Sequence, residues 1–142
     1  LREVDLALDV HSELPRVTLS REQLVQVLLN LVLNAADAAG PGGHIRIEAL
    51  RSKDGVELSV SDDGPGVAEI VRDRLFEPFV TTKETGKGTG LGLAVCRGLV
   101  EAAGGTIELD TSRPRGARFV VALPDARVEA PPSGGGAGAE KE

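Results

Sequence analysis

Tryptophan, tyrosine and methionine are absent from the 142 residues, and phenylalanine occurs only three times. Any core must therefore be aliphatic, and the 41% apolar share is large enough to build one. A single cysteine, Cys96, excludes a disulfide framework and fits a reduced, cytoplasmic setting. It falls within a helical apolar pattern, so it reads as a small core residue and not a reactive thiol. Neither His11 nor His44 has a neighbouring Cys, His or carboxylate pattern of the metal-binding type, and both read as solvated. Lysine and arginine, 16 together, are outnumbered by 22 acidic residues, and the net charge of −6 argues against nucleic acid or an anionic membrane as partner. A bound polyanion would then need a local cation, either Lys or a metal ion. No apolar run is long enough to cross a bilayer and no signal peptide is visible, so no membrane contact is expected of this segment. The chain opens on Leu1 instead of Met, as expected of an excised or processed piece. If the parent protein is membrane-anchored, the anchor lies elsewhere.

What is present divides into one domain, residues 1–124, and a Pro/Gly-rich tail, 125–142, expected to be disordered. Residues 4–10 alternate apolar and polar and predict a half-buried strand; Arg16 to Leu19 is a candidate for a second, short one. Ser20 and Gln23 form a capping-box signature. A long helix should follow to about Ala39, with Leu24, Val27, Leu28, Leu31 and Ala35 as its core stripe and Gly40-Pro41-Gly42-Gly43 as its stop. Two alternating runs, His44 to Arg51 and Val56 to Asp62, flank an Asp-Gly turn and predict a hairpin. A second helix is expected from about Leu91 to Ala103, then strands near 106–110 and 117–123.

Three stretches carry chemistry. Asn30 and Asn34 lie one turn apart on the long helix, with Asp37 and Ala38 continuing the row. Asn is a mediocre helix former, so stability does not explain the pair. Neutral amide oxygens suit Mg²⁺ beside nucleotide phosphates; a pair of surface amides is the plainer alternative. Asp62, at a strand end before Gly64 and Gly66, can hold an acceptor-only carboxylate in a pocket for an amino group such as that of adenine, with Val67 following; a plain tight turn is the alternative. Gly86 to Leu93 is a glycine loop opening onto a helix, a shape that cradles phosphate through free N–H groups and the helix dipole; a flexible loop before an ordinary helix is the alternative. It is neither a P-loop nor a dinucleotide fingerprint. Phe76 and Phe79 are placed to pack the preceding segment against the body, and Lys83 and Lys87 are the lysines near the loop.

Four ordered motifs then coincide: Asn30-x-x-x-Asn34-Ala35, Asp62-x-Gly64-x-Gly66, Phe76-Glu77-Pro78-Phe79-x-Thr81-Thr82-Lys83 and Gly88-Thr89-Gly90-Leu91-Gly92-Leu93. Together they resemble the ATP-binding catalytic domain of bacterial sensor histidine kinases, in the superfamily shared with gyrase, heat-shock chaperone ATPases and MutL. The Asn34 to Ala38 run and the Phe-x-Thr-Thr-Lys segment look most like the nitrogen-regulatory subfamily. The resemblance covers about residues 1–124. It implies an α/β (α+β) two-layer sandwich of the Bergerat type, a mixed, mostly antiparallel sheet with helices on one face. It implies that Asp62 binds the adenine amino group and that Asn34, with Asn30, holds Mg²⁺. The segment Thr81 to Lys87 corresponds to a short lid, and Gly88, Gly90 and Gly92 to the phosphate cradle.

Three departures stand out. Asp37 replaces a frequent Lys or Arg beside phosphate, a role left to Lys83 or Lys87. Ala38 replaces a frequent Tyr near the base. Asn30 stands where the superfamily's ATPases place a water-activating Glu, and Asn cannot be a general base. This favours phosphoryl transfer to a protein nucleophile over hydrolysis. In the family that nucleophile is a histidine on a separate dimerisation hairpin, absent here, and the phosphoryl group passes on to an aspartate of a response regulator. The parent is expected to be a homodimer and this piece a monomer. An ATP-gated clamp of the chaperone, gyrase or MutL type, an anti-sigma-type serine kinase and a degenerate nucleotide-sensing module are the other readings.

Overall fold

The computed structural model describes residues 4–11, 13–72, 74–77, 92–112 and 115–126. Helix α1 (Arg21–Ala39) forms where the sequence predicts it. The Ser20 hydroxyl accepts from the Gln23 N–H, and the Gln23 amide oxygen accepts from the Ser20 N–H, both at 3.1 Å. Two N–H groups that the helix itself leaves unpaired are thereby satisfied. Val27, Leu31 and Ala35, four residues apart, form its fully buried stripe. The helix ends at Gly40, whose φ of 76° is one that a side chain rarely tolerates.

Strands β1 (Asp5–Val10), β2 (His44–Arg51), β3 (Gly55–Asp62), β4 (Thr106–Leu109) and β5 (Ala117–Pro124) form one sheet, in the order β1-β2-β3-β5-β4. β1 runs parallel to β2, and the other neighbours are antiparallel. Between β3 and β4 lie a single helical turn, α2 (Glu69–Arg72), and helix α3 (Gly92–Ala102). The two-layer, mixed-sheet expectation is met.

Alternation divides the sheet into two unlike faces. Ile45, Ile47, Leu58, Val60, Phe119 and Val121 face the helices and build an aliphatic core with Val27, Leu31, Cys96 and Val100. Cys96 is fully buried, as its pattern predicts. The other face is polar and laced with ion pairs. Arg46 meets Asp9 at 3.2 Å and Glu48 at 3.3 Å; Arg118 meets Asp110 at 3.0 Å and Glu57 at 3.5 Å.

Two expectations fail. β1 is not half-buried: all six of its residues are exposed, Leu8 by 67%. Leu6, Leu8 and Val10 lie in register with Ile45, Ile47 and Ala49, but α1 packs over β2 and β3 and leaves the edge strand uncovered. Arg16 to Leu19 is not a strand. Its carbonyl at Arg16 accepts from the Ala126 N–H at 2.7 Å, while Leu14, Val17 and Leu19 pack against the core from an irregular backbone.

Candidate functional site

β3 ends at Asp62, Asp63 follows directly, and the two side chains go to opposite faces of the sheet. Asp62 stands opposite Ile45 and Ala117, both core residues, so it points to the helix side. Only 5% of it is exposed. One carboxylate oxygen accepts from the Gly64 N–H at 2.8 Å, closing a tight turn. Gly64 is required there by space. A Cβ on it would collide with the carbonyl of Ala38 at the end of α1. Gly116, at the start of β5, has a φ of 78°, and a Cβ on it would overlap the Asp62 carbonyl. Gly66, with a φ of 91°, comes close to Gly116 as well. Three glycines thus let the end of α1, the Asp62–Gly66 turn and the start of β5 pass close to one another beside the buried Asp62.

The second cluster lies further back along α1. Asn30 is half-buried and donates from its amide nitrogen to the carbonyl of Gly92, the first residue of α3, at 3.5 Å. The same side chain hydrogen-bonds Cys96, whose thiol donates to the Val27 carbonyl at 3.6 Å. Burial pushes the Cys96 thiol up, and the Asn30 hydrogen bond opposes this more weakly. Asn34 is half-buried one turn on, and Asp37 is exposed. Eight residues separate Asn30 from Ala38, roughly 12 Å of helix. α1 therefore spans from the opening of α3 to the Asp62 turn. Val67 and Leu93 are partly buried and pack against the core.

The family profile described as Histidine kinase-, DNA gyrase B-, and HSP90-like ATPase matches residues 20–127. The chain belongs to this ATPase family. Within it, the sequence is 44% identical over 123 residues to the sensor histidine kinase ZraS of Escherichia coli O157:H7, covering 87% of this chain and 26% of that protein. The domain thus spans about a quarter of the length of that curated relative. Its fold matches the catalytic domain of histidine kinase ThkA, solved nucleotide-free, with a TM-score of 0.75, 37% identity, and coverage of 86% of this chain and 79% of that one. It also matches ThkA solved in complex with the response regulator protein TrrA, with a TM-score of 0.71, 33% identity, and coverage of 87% and 34%. This is a nucleotide-binding catalytic domain of the sensor histidine kinase type.

The kinase domain brings together Ala38, Asp62, Gly64 and Gly66 at the C-terminal end of α1, and Asn30 and Gly92 at the middle of that helix. Phe79, Thr81, Thr82, Lys83, Lys87, Gly88, Thr89, Gly90 and Leu91 lie outside the described residues. Phe76 does pack on the body, edge-on to Phe119 at 6.1 Å and beneath the Arg97 guanidinium at 5.9 Å. Among the described residues no group of three or more His, Cys, Asp or Glu is placed to hold a metal. No helix among them is long and apolar enough to cross a membrane.

Sequence reasoning missed two participants. Gly116 carries no signal of its own, since its partner Asp62 is remote in the chain. His44 is a correction. It is 65% exposed yet not merely solvated, because its ring meets Asp63 at 2.8 Å and Asp5 at 3.3 Å. That contact was legible. Once the turn sets Arg51 opposite Val56, counting back along the hairpin puts His44 opposite Asp63.

Proposed function

We infer that this domain binds Mg-ATP along α1 and donates the γ-phosphate to a histidine on a separate helical hairpin of its parent protein, for relay to a response-regulator aspartate. The buried Asp62 carboxylate, pinned where Ala38, Gly64 and Gly116 converge, carries this reading. It offers acceptors only, which suits the adenine amino group. The glycines let the backbone segments around that carboxylate pack closely, and Asn30 and Gly92, at the middle of α1, stand about 12 Å back along the helix.

The phosphate end fits a metal that brings its own anionic ligands. Asn34, with Asn30 beside it, supplies neutral oxygens, so a bound Mg²⁺ would depend on the phosphates for its remaining charge balance. When bound, the ion would supply charge neutralisation to the phosphates. Asn30 already ties α1 to α3 through Gly92, so Asn34 is the principal ligand in this proposal. By sequence alone, Gly88, Gly90 and one of Lys83 and Lys87 complete the cradle. Catalysis is then positioning and electrostatic stabilisation of an in-line transfer. Asn30 cannot activate water, which leaves the γ-phosphate for the incoming histidine. Residues 1–124 make up this domain in the proposal, with 125–142 as a tail.

The test is transfer of label from γ-labelled ATP to the parent's histidine hairpin added in trans. The expected product is acid-labile, as phosphohistidine is. Acid-stable label points to a serine kinase, and phosphate release without label on the hairpin points to an ATPase. A second expectation concerns the metal. Asn34→Ala should weaken ATP binding about fivefold in Mg²⁺ and barely at all in chelator, a loss typical of one hydrogen-bonding or ligating group. Equal loss in both conditions, read by calorimetry, removes Asn34 from the metal site.

A further inference from the structure

The Asp62-Asp63 doublet divides its work between the two faces of the sheet. Asp62 faces the helices, and Asp63 faces the open, ion-paired side. There one Asp63 oxygen accepts the His44 backbone N–H at 3.0 Å, and the other meets the His44 ring Nδ1 at 2.8 Å. The ring's Nε2 reaches Asp5 on β1 at 3.3 Å. The β3 ladder ends at Asp62, and the next backbone bond, from the Asp63 N–H to the His44 carbonyl, is long at 3.3 Å. The side-chain grip therefore replaces ladder bonds just where β3 turns into the Asp-x-Gly loop.

We propose that His44 is a positioning residue for the site: by gripping Asp63 from the open face of the sheet, it holds the adjacent Asp62 carboxylate in register for the adenine amino group. This rests on the reading of Asp62 given above. The ring works through Asp63 and touches no nucleotide. Asp5 extends the grip to the edge strand, so three strands meet at one imidazole.

The charges around the ring set the sign of its pH dependence. Asp5 faces it from β1 and Asp63 from the end of β3. Arg46, two residues along β2, is engaged by Asp9 and Glu48, and Arg118 on β5 by Asp110 and Glu57. The hydrogen bond and charge of Asp63 raise the pKa of His44, and the His44 backbone N–H and ring lower that of Asp63. The charged grip is complete at and below the usual histidine value near 6.5 and is lost as pH rises through the raised one.

Calorimetry with ATP and with inosine triphosphate, whose base lacks the amino group, across pH 6 to 9 (about the range a raised histidine spans) tests this. Wild type should prefer ATP, and the preference should fall as pH rises. His44→Ala should weaken ATP binding about two- to fivefold at the acidic end, in keeping with an exposed ion pair, and leave inosine triphosphate unchanged. Its preference should no longer depend on pH. His44→Asn, which keeps a donor near Nδ1, should restore much of the preference without the pH dependence. Asp63→Asn should resemble His44→Ala. A wild type with no preference for ATP overturns the reading of Asp62. A wild-type preference that His44→Ala leaves intact at every pH overturns the role of His44 alone. Equal weakening for both nucleotides makes the grip merely structural and also overturns the proposal.

Discussion

Asp62→Asn is expected to lower ATP affinity by about 10- to 100-fold while the domain stays folded, since a hydrogen bond to a charged group is worth about 1.5–3 kcal/mol. Asn is nearly isosteric with Asp, but it keeps only one acceptor oxygen. In the wild-type site one carboxylate oxygen is already committed to the Gly64 N–H at 2.8 Å. The amide can keep that bond and present NH₂ to the adenine amino group, setting donor against donor. Alternatively it can turn its oxygen to the base and leave Gly64 without its partner. Either choice costs binding, and burial of the site to 5% exposure prevents water from compensating fully. Calorimetric titration with ATP and inosine triphosphate reads the outcome. The variant should bind ATP no better than inosine triphosphate. Unchanged ATP affinity would remove Asp62 from the adenine site.

Gly116→Ala should destabilise the domain by about 2–4 kcal/mol, the sum of a left-handed backbone penalty and local overpacking. Its φ of 78° disfavours any side chain, and its Cβ would overlap the Asp62 carbonyl. The backbone must shift, and the atoms that shift belong to the site. Loss of thermal stability should therefore accompany weaker ATP binding. Gly98→Ala is the matched control. Gly98 lies in α3, and a Cβ there meets nothing within 4 Å. Alanine in a helix interior is favoured over glycine by about 1 kcal/mol, so that variant should gain stability. Circular-dichroism melts of the two variants should move in opposite directions. A Gly116→Ala melt that matches wild type would mean that this convergence of backbones is looser than described.

Much of the site was legible because its signals are local. The Asn30–Asn34 spacing, the Asp-x-Gly turn and the capping box each lie within five residues, the range over which helix and turn geometry act. The less legible parts depend on partners far apart in sequence. Asn30 suggested a metal ligand in one dimension; in three it also secures α3 through Gly92, 62 residues away. The apolar alternation of β1 was read correctly as a strand, yet its burial was misjudged, because burial depends on where α1 lies over the sheet. Periodicity reports which face of an element is apolar and does not report whether anything covers it.

Sequence by itself determined the helix with its cap and stripe, the hairpin and its register, the aliphatic core and the motif order that marks the family. Those follow from propensities and periodicities that a short segment carries alone. Only the tertiary structure decided which carboxylate of the Asp62-Asp63 pair is buried, why Gly116 must be glycine, and that His44 joins three strands. Each of these is set by contact between segments that the chain brings together only when the sheet closes against its helices. The inner face of that sheet packs against the helices and the outer face carries ion-paired side chains, and this difference gives two adjacent aspartates two different environments: Asp62 is buried, and the Asp63 side chain is 46% exposed.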